Sequence, residues 1–310
     1  MIAAISLLSV FACVVLAVRL LAFHRLIAGL TVVGSWQWAV LAIPALMGSC
    51  LACIPQLAVG DGWRSSVQYL AAVMLLAPPV CTLGARKPGI AAWHWFVVTP
   101  MLVVLMWPAF SQLISSRGIE TIELGTPALI GIGLVMMMSL GTGLGSLLMI
   151  PALLYGAAIA CCLGPATGWK NVPQSLPLAA PWLLLMAGRM ASSELSILKT
   201  KLAAAGTISD ATDSAWSFFQ SCYGLPWTKR FQDRVNQFSP REQWAVRLTL
   251  DGFRSPENLP ADDQTLAQPL DAFCWVMQRF ASDEWIEREF GRFRPHVRSE
   301  ASTESEESGE

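Results

Sequence analysis

Histidine is scarce in this chain, with three in 310 residues at positions 24, 94 and 296, so a zinc site built on H-E-x-x-H or on several imidazoles is excluded by count. Charge is scarcer still over the first three fifths. Residues 1–190 carry 11 charged side chains, eight basic and three acidic, against 32 in residues 191–310. No Asp or Glu falls inside any long apolar run. Such carboxylates are the usual handles of proton-coupled transporters and the catalytic pair of intramembrane aspartyl proteases, so their absence counts against both classes. No G-x-S-x-G elbow occurs, and GTGLG at 141–145 lacks the Lys and the preceding strand of a phosphate loop. A formal net charge of −1 leaves no basic excess for a freely soluble nucleic-acid binder.

What is abundant is apolar surface, at 54% of residues. A hydrocarbon core about 30 Å thick needs about 20 apolar residues in a helix, because backbone polar groups find no water there. Seven stretches come near that length, at about 2–22, 36–58, 66–85, 91–114, 124–140, 144–164 and 174–190. The fifth and sixth are parted only by the Gly-rich turn, and the seventh is short and carries Pro177 and Pro181, so six spans stand as the alternative to seven. The first stretch has no basic leader and no A-x-A site, which favours a retained span over a cleaved signal. The fold class expected is all-α: a transmembrane bundle over 1–190, an amphipathic linker over 191–209, a mostly helical cytoplasmic domain over 210–291, and a disordered charged tail over 292–310.

Lys and Arg bias in the short loops sets orientation. With seven spans, Arg19, Arg25, Arg86, Lys87, Arg189, Lys199 and Lys201 gather on one side and Arg64, Arg117 and Lys170 on the other. The first set is placed in the cytoplasm, with the N-terminus outside and the C-terminus inside, in the inner membrane. Trp36, Trp38, Trp63, Trp93, Trp95, Trp107 and Trp169 fall near span ends, where an indole suits the headgroup level. Gly131, Gly133, Gly141, Gly143 and Gly145, with Ser139 and Ser146, suggest close helix contacts of the small-x-x-x-small kind. Prolines mark nearly every span, and a helix-interior proline frees a carbonyl that a transporter can offer to substrate. IPALMGSCLAC at 43–53 is similar to IPALLYGAAIAC at 150–161, and LAAVMLL at 70–76 to LAAPWLL at 178–184, as a parallel repeat of spans two and three in spans six and seven requires.

Chemistry is sparse. Cys50 and Cys53 form a C-x-x-C, which in water would be a redox pair or half a zinc site. In hydrocarbon the thiolate is disfavoured and no second ligand pair is apparent, so small packing residues are expected. His94, between Trp93 and Trp95, is the one membrane-proximal imidazole. It is expected to be structural or interfacial, hydrogen-bonded to headgroups or a neighbouring loop, because no nucleophile or ligand set accompanies it. No catalytic residue, metal or cofactor is assigned.

In the linker, Leu195, Leu198 and Leu202 keep helical spacing beside Lys199 and Lys201, as for a helix lying on an anionic leaflet. DSAWSFFQSCYG reads as a helix capped near Asp213 and stopped by Gly224. WTKRFQDRVNQF puts Trp227, Phe231, Val235 and Phe238 on one face. SPRE at 239–242 fits a capping box, WAVRLTL alternates like a strand, and PLDAFCWVMQRF and SDEWIEREFG read as two more helices. The candidate lipid or partner contacts are Arg86, Lys87, Lys199, Lys201, Lys229, Arg230 and Arg234.

LGARKPG at 83–89, followed by Trp93, Trp95, Pro100 and the WPA of 107–109, resembles a pattern in uncharacterised multi-span membrane proteins of planctomycete bacteria. YGLPW, Arg230, Arg234 and Asn236 resemble their C-terminal part. The resemblance implies a topology and no catalytic residue. The function expected is a non-enzymatic component of a membrane assembly, whose partners are the lipid bilayer and other membrane proteins, not nucleic acid. A permease for a neutral small solute is the alternative and an intramembrane enzyme the third reading.

Overall fold

The computed structural model describes residues 1–293 except 58, 59, 116–121, 123, 144, 145 and 170, with 115, 127 and 139 described by backbone alone. Four helices are long and apolar enough to cross a membrane. They are α1 (Ile2–Ile27), α3 (Asp61–Leu83), a rod spanning Ile90–Ile114, and α7 (Met149–Ala166). The rod joins α4 (Ile90–Trp93) to α5 (Thr99–Ser115) through a π-helical turn, His94–Val98. Three further helices lie beside them. α2 (Val33–Leu51) opens with Ser35 and Gln37, α6 (Thr126–Gly141) has 16 residues, and α8 (Ala180–Ala204) is apolar in its first half only. At 1.5 Å per residue α6 is about 24 Å long, short of a 30 Å core.

Five of these helices close a ring, in the order α1, α2, α3, α7, α8 and back to α1. The α1–α8 seam is fixed by polar bonds at both ends. Ser9 Oγ donates to Leu178 O (2.9 Å), and Lys199 Nζ donates to Arg25 O (2.8 Å) in the last turn of α1. α5 packs outside α3, and α6 lies against α3 and α7. The close approach of α6 to α7 uses Gly156, where an added Cβ would stand 2.8 Å from Leu140, and Gly143, where it would meet Ala152 at 2.7 Å. Gly131, Gly133 and Gly141 face open space, so the small-residue contact expected on α6 lies elsewhere; Gly145 and the side chain of Ser139 lie outside the described residues.

Helix-interior prolines leave carbonyls without partners, and side chains take them up. Pro79 removes the donor that would reach Leu75 O, and the Tyr155 hydroxyl, arriving from α7, donates to that oxygen instead at 2.8 Å.

The C-terminal part consists of α9 (Ile208–Asn236), α10 (Ser239–Glu242), a hairpin of β1 (Arg247–Thr249) and β2 (Gly252–Arg254), α11 (Asp263–Met277) and α12 (Asp283–Phe290). The strands are antiparallel, with Leu248 opposite Phe253. α9 is two helices in line, joined at Gly224, whose φ of +72° suits glycine and whose added Cβ would fall 2.2 Å from Thr142 O. The break expected at Gly224 is therefore a kink. The helix starts earlier than expected, with Thr207 Oγ1 accepting from Asp210 N (3.1 Å). Asp213 caps nothing and pairs with Arg254 at 3.3 Å. Ser239 does not cap α10 either; its hydroxyl turns back to Val246 O (3.4 Å), and Phe238 holds the N-cap position.

The core of this part is aromatic. Trp216, Phe219, Tyr223, Phe231, Phe273 and Phe280 interlock, with Phe219 4.6 Å from Tyr223 and 4.7 Å from Phe231 between ring centres. Of the face expected from Trp227, Phe231, Val235 and Phe238, the first three are buried here, while Phe238 is half-buried beside Trp244 and Trp275. The core does not stop at residue 210. Ile27 at the end of α1, Leu30 and Val32 from the α1–α2 loop, Ala85 from the α3–α4 loop, and Leu195, Leu198 and Leu202 from α8 complete it. The expected leaflet-lying linker is thus corrected: α8 runs unbroken to Ala204, and its leucines face α9 instead of lipid. Residues 294–310, most of the expected tail, lie outside the described residues, while Arg292 donates to Leu202 O (3.3 Å) at the end of α8.

Candidate functional site

The ring helices, with Met136 and Leu140 of α6, line a half-open cavity of about 330 Å³, within the range of about 300–1,000 Å³ that holds drug-sized ligands. Leu16, Ile43, Leu75, Ile159 and Leu184 form its middle, and Ser221–Gly224 of α9 line one end. Its polar wall groups are partnered within the protein. Ser35 Oγ lies 2.9 Å from Thr82 Oγ1, and Thr82 donates on to Pro78 O (3.2 Å). Tyr155 serves Leu75 O, and Ser221 Oγ donates to Ser217 O (3.0 Å). The Tyr223 hydroxyl donates to Phe280 O (2.6 Å) and meets Thr31 Oγ1 at 2.9 Å. Burial pushes the Cys222 thiol up to about 12, so it stays protonated and apolar in character. Such a lining offers surface for an apolar molecule and few free groups for a polar one.

The cavity is capped because every loop at that end is fastened to the C-terminal part. Thr31 N donates to Phe280 O (2.8 Å), Ser282 N to Gly29 O (2.7 Å), Lys87 N to Arg279 O (2.8 Å) and Leu225 N to Thr142 O (3.2 Å). The loops at the far end bond among themselves, with Ile122 N donating to Ala166 O (2.9 Å) and Arg64 Nε to Ala52 O (2.9 Å). Cys50 and Cys53 lie at that far end, where Cys53 Sγ donates to Ser49 O (3.4 Å) and receives Gln68 Nε2 (3.6 Å). Among the described residues no group of three or more His, Cys, Asp or Glu is arranged to hold a metal ion. Ser6 Oγ, Gln68 Oε1 and Tyr69 Oη are buried without a hydrogen-bond partner among the described residues.

His94 bonds to a neighbouring helix, the structural one of the two roles expected for it. Its Nε2 is 2.7 Å from Cys81 Sγ on α3, and the imidazole fills the space that a Cβ on Gly34 would take, 2.6 Å from His94 Cε1. The partner is a thiol 13 residues away in sequence, brought close because Trp93 packs onto Gly84 and its indole donates to Val80 O (3.1 Å).

The seven candidate contact residues divide. Lys199 is a seam residue capping α1, as described above. Lys201 is exposed and set apart, and Lys229 pairs with Asp233 at 2.8 Å. Lys87 Nζ donates to Ala281 O (2.8 Å). Arg86, Arg230 and Arg234 come together, joined by Arg279, which the sequence reading did not single out. The signal that marks it is the i, i+4 pair of Trp275 in the last turn of α11 and Arg279 just after it, beside Trp227, Arg230 and Arg234 on α9. Compared with protein-family models, curated proteins and solved structures, the chain matches none of them.

Proposed function

We propose that the chain is a seven-pass inner-membrane protein, N-terminus outside and C-terminal domain in the cytoplasm, that acts as a non-enzymatic component of a membrane assembly and holds an apolar, lipid-chain-like molecule inside its helix ring. The observation that carries the ligand is the half-open cavity itself, lined by the five ring helices and α6, capped at one end by α9, and walled by apolar side chains with self-partnered polar groups. Seven passes are supported by the way the helices alternate between the two clusters of mutually bonded loops. The orientation is supported by Arg25, Arg86, Lys87, Lys199 and Lys201 at the capped end and Arg64 at the other. The planctomycete group is proposed with this topology, on the quoted motifs alone.

A neutral-solute permease finds less support, because the carbonyl freed by Pro79 is taken by Tyr155 and is not offered to substrate. The test is native mass spectrometry of the full-length protein extracted in mild detergent. A retained lipid or other apolar adduct is expected, and Ala191→Phe, which fills the cavity wall, should remove it while the protein still melts cooperatively. An adduct unchanged in that variant, or substrate-dependent flux of a polar solute in vesicles, would overturn the reading.

A further inference from the structure

Four arginines meet beside the α3–α4 loop, and the ion pairs Arg64–Asp61, Lys229–Asp233, Arg254–Asp213 and Arg288–Glu289 include none of them. Arg86 belongs to the loop, Arg230 and Arg234 to α9, and Arg279 follows α11. They border two adjoining hollows of about 410 and 490 Å³ that share Arg86 and Arg279. Three are held by aromatic faces. Arg230 lies 4.9 Å from the Trp227 ring centre, while Arg234 and Arg279 lie 5.3 and 5.0 Å from Trp275. A guanidinium stacked on a ring keeps its N–H fork in its own plane, where it can meet an oxyanion; Arg234 spends one Nη1–H on Gln237 Oε1 (2.8 Å) and keeps its others. Like charges gathered this closely repel one another unless an anion lies among them.

The groove also lies at the edge of the apolar helices. Arg86 follows the last residue of α3 by three positions, so its Cα is within about 10 Å of that helix end. The rod begins four residues further on, and Trp227 Nε1 donates to Thr82 O (3.1 Å) in the last turn of α3. Trp93 and the exposed Trp95 stand in the same layer, as headgroup-level indoles do.

We infer that this groove is a phosphate site that takes the headgroup of an anionic phospholipid from the adjoining leaflet. It is separate from the ring cavity, so its failure leaves the cavity reading standing.

The test titrates the full-length protein in detergent with phosphatidylglycerol, phosphatidylcholine and soluble glycerol 3-phosphate, reading occupancy by native mass spectrometry. Phosphatidylglycerol should bind most tightly and weaken as salt rises. At about fivefold per basic residue near an anionic surface, Arg86→Gln/Arg279→Gln and Arg230→Gln/Arg234→Gln should each lower that affinity roughly thirtyfold. The thermal melt identifies folded variants. Arg86→Gln alone, at an exposed side chain, supplies a fivefold effect should a double variant unfold. Lys201→Gln should change nothing. Unaltered binding in folded arginine variants, or an equal loss in Lys201→Gln, would overturn the site. Glycerol 3-phosphate binding as tightly as the lipid would overturn the lipid as its occupant.

Discussion

His94 and Cys81 share a hydrogen bond of 2.7 Å between Nε2 and Sγ, and this bond fastens α3 to the π-helical turn of the rod. Around it, Trp93 lies over Gly84 and Gly34 leaves room for the imidazole. The pair therefore works as a clasp between two helices that α5 continues outward. His94→Ala and Cys81→Ala should each lower stability by about 1 kcal/mol, and the double variant should lose less than the sum. Thermal melts of the four proteins in detergent measure this. Strict additivity would show that the two side chains are not coupled.

Gly224 should tolerate nothing larger. With a positive φ and Thr142 O 2.2 Å from any added Cβ, Gly224→Ala is expected to lower stability by at least about 1–3 kcal/mol. Gly131→Ala, in open space on α6, should be neutral or stabilising by up to about 1 kcal/mol, since alanine favours a helix. Equal melting temperatures for the two variants would contradict this.

The C-terminal part should not survive excision. Residues 210–291 expressed alone lose Ile27, Leu30, Val32, Ala85 and the α8 leucines that complete their core. The fragment is expected to retain helical circular dichroism but to melt without cooperativity and to bind hydrophobic dye. In the full chain, Leu198→Ala should cost about 2–5 kcal/mol and Phe231→Ala about 3–5 kcal/mol. A cooperative melt of the fragment would show that the membrane loops are dispensable.

Asp213 carries a pH signature. Burial raises its carboxyl above the usual range, and the Arg254 partner only partly opposes this. A raised folded-state value means that its contribution to stability is full below the unfolded carboxylate range and is lost as pH rises through the folded value. Asp213→Asn should remove that part of the pH dependence. Its melting temperature relative to the wild type should therefore be higher at pH 7 than at pH 4. A relative gain at pH 4 would reverse the sign and make the Arg254 pair dominant.

Much of this architecture was readable in advance because length and apolarity act locally. The apolar stretches, the Gly224 break, the strand after residue 245 and the face of Trp227, Phe231 and Val235 all follow from patterns within a few residues. What was not readable depends on what a pattern faces. The spacing of Leu195, Leu198 and Leu202 suits a leaflet and a protein core equally, and only the packing of α9 decides between them. The glycines of α6 permit close contact without requiring it. His94 and Cys81 carry no joint signal in sequence. Arg279 joins the basic groove because Lys87 N reaches its carbonyl, a contact between segments nearly 200 positions apart.

The ring closes through its first and last members, and Ser9 meets a carbonyl 169 residues later in the chain. At about 5–20 residues per second, synthesis separates those partners by roughly 8–34 s. For that interval the seam face of α1 has no α8 against it, and the cavity between the helices stands open on that side. A molecule held there as proposed would have its widest entry during biogenesis, before α8 arrives and α9 bolts the end.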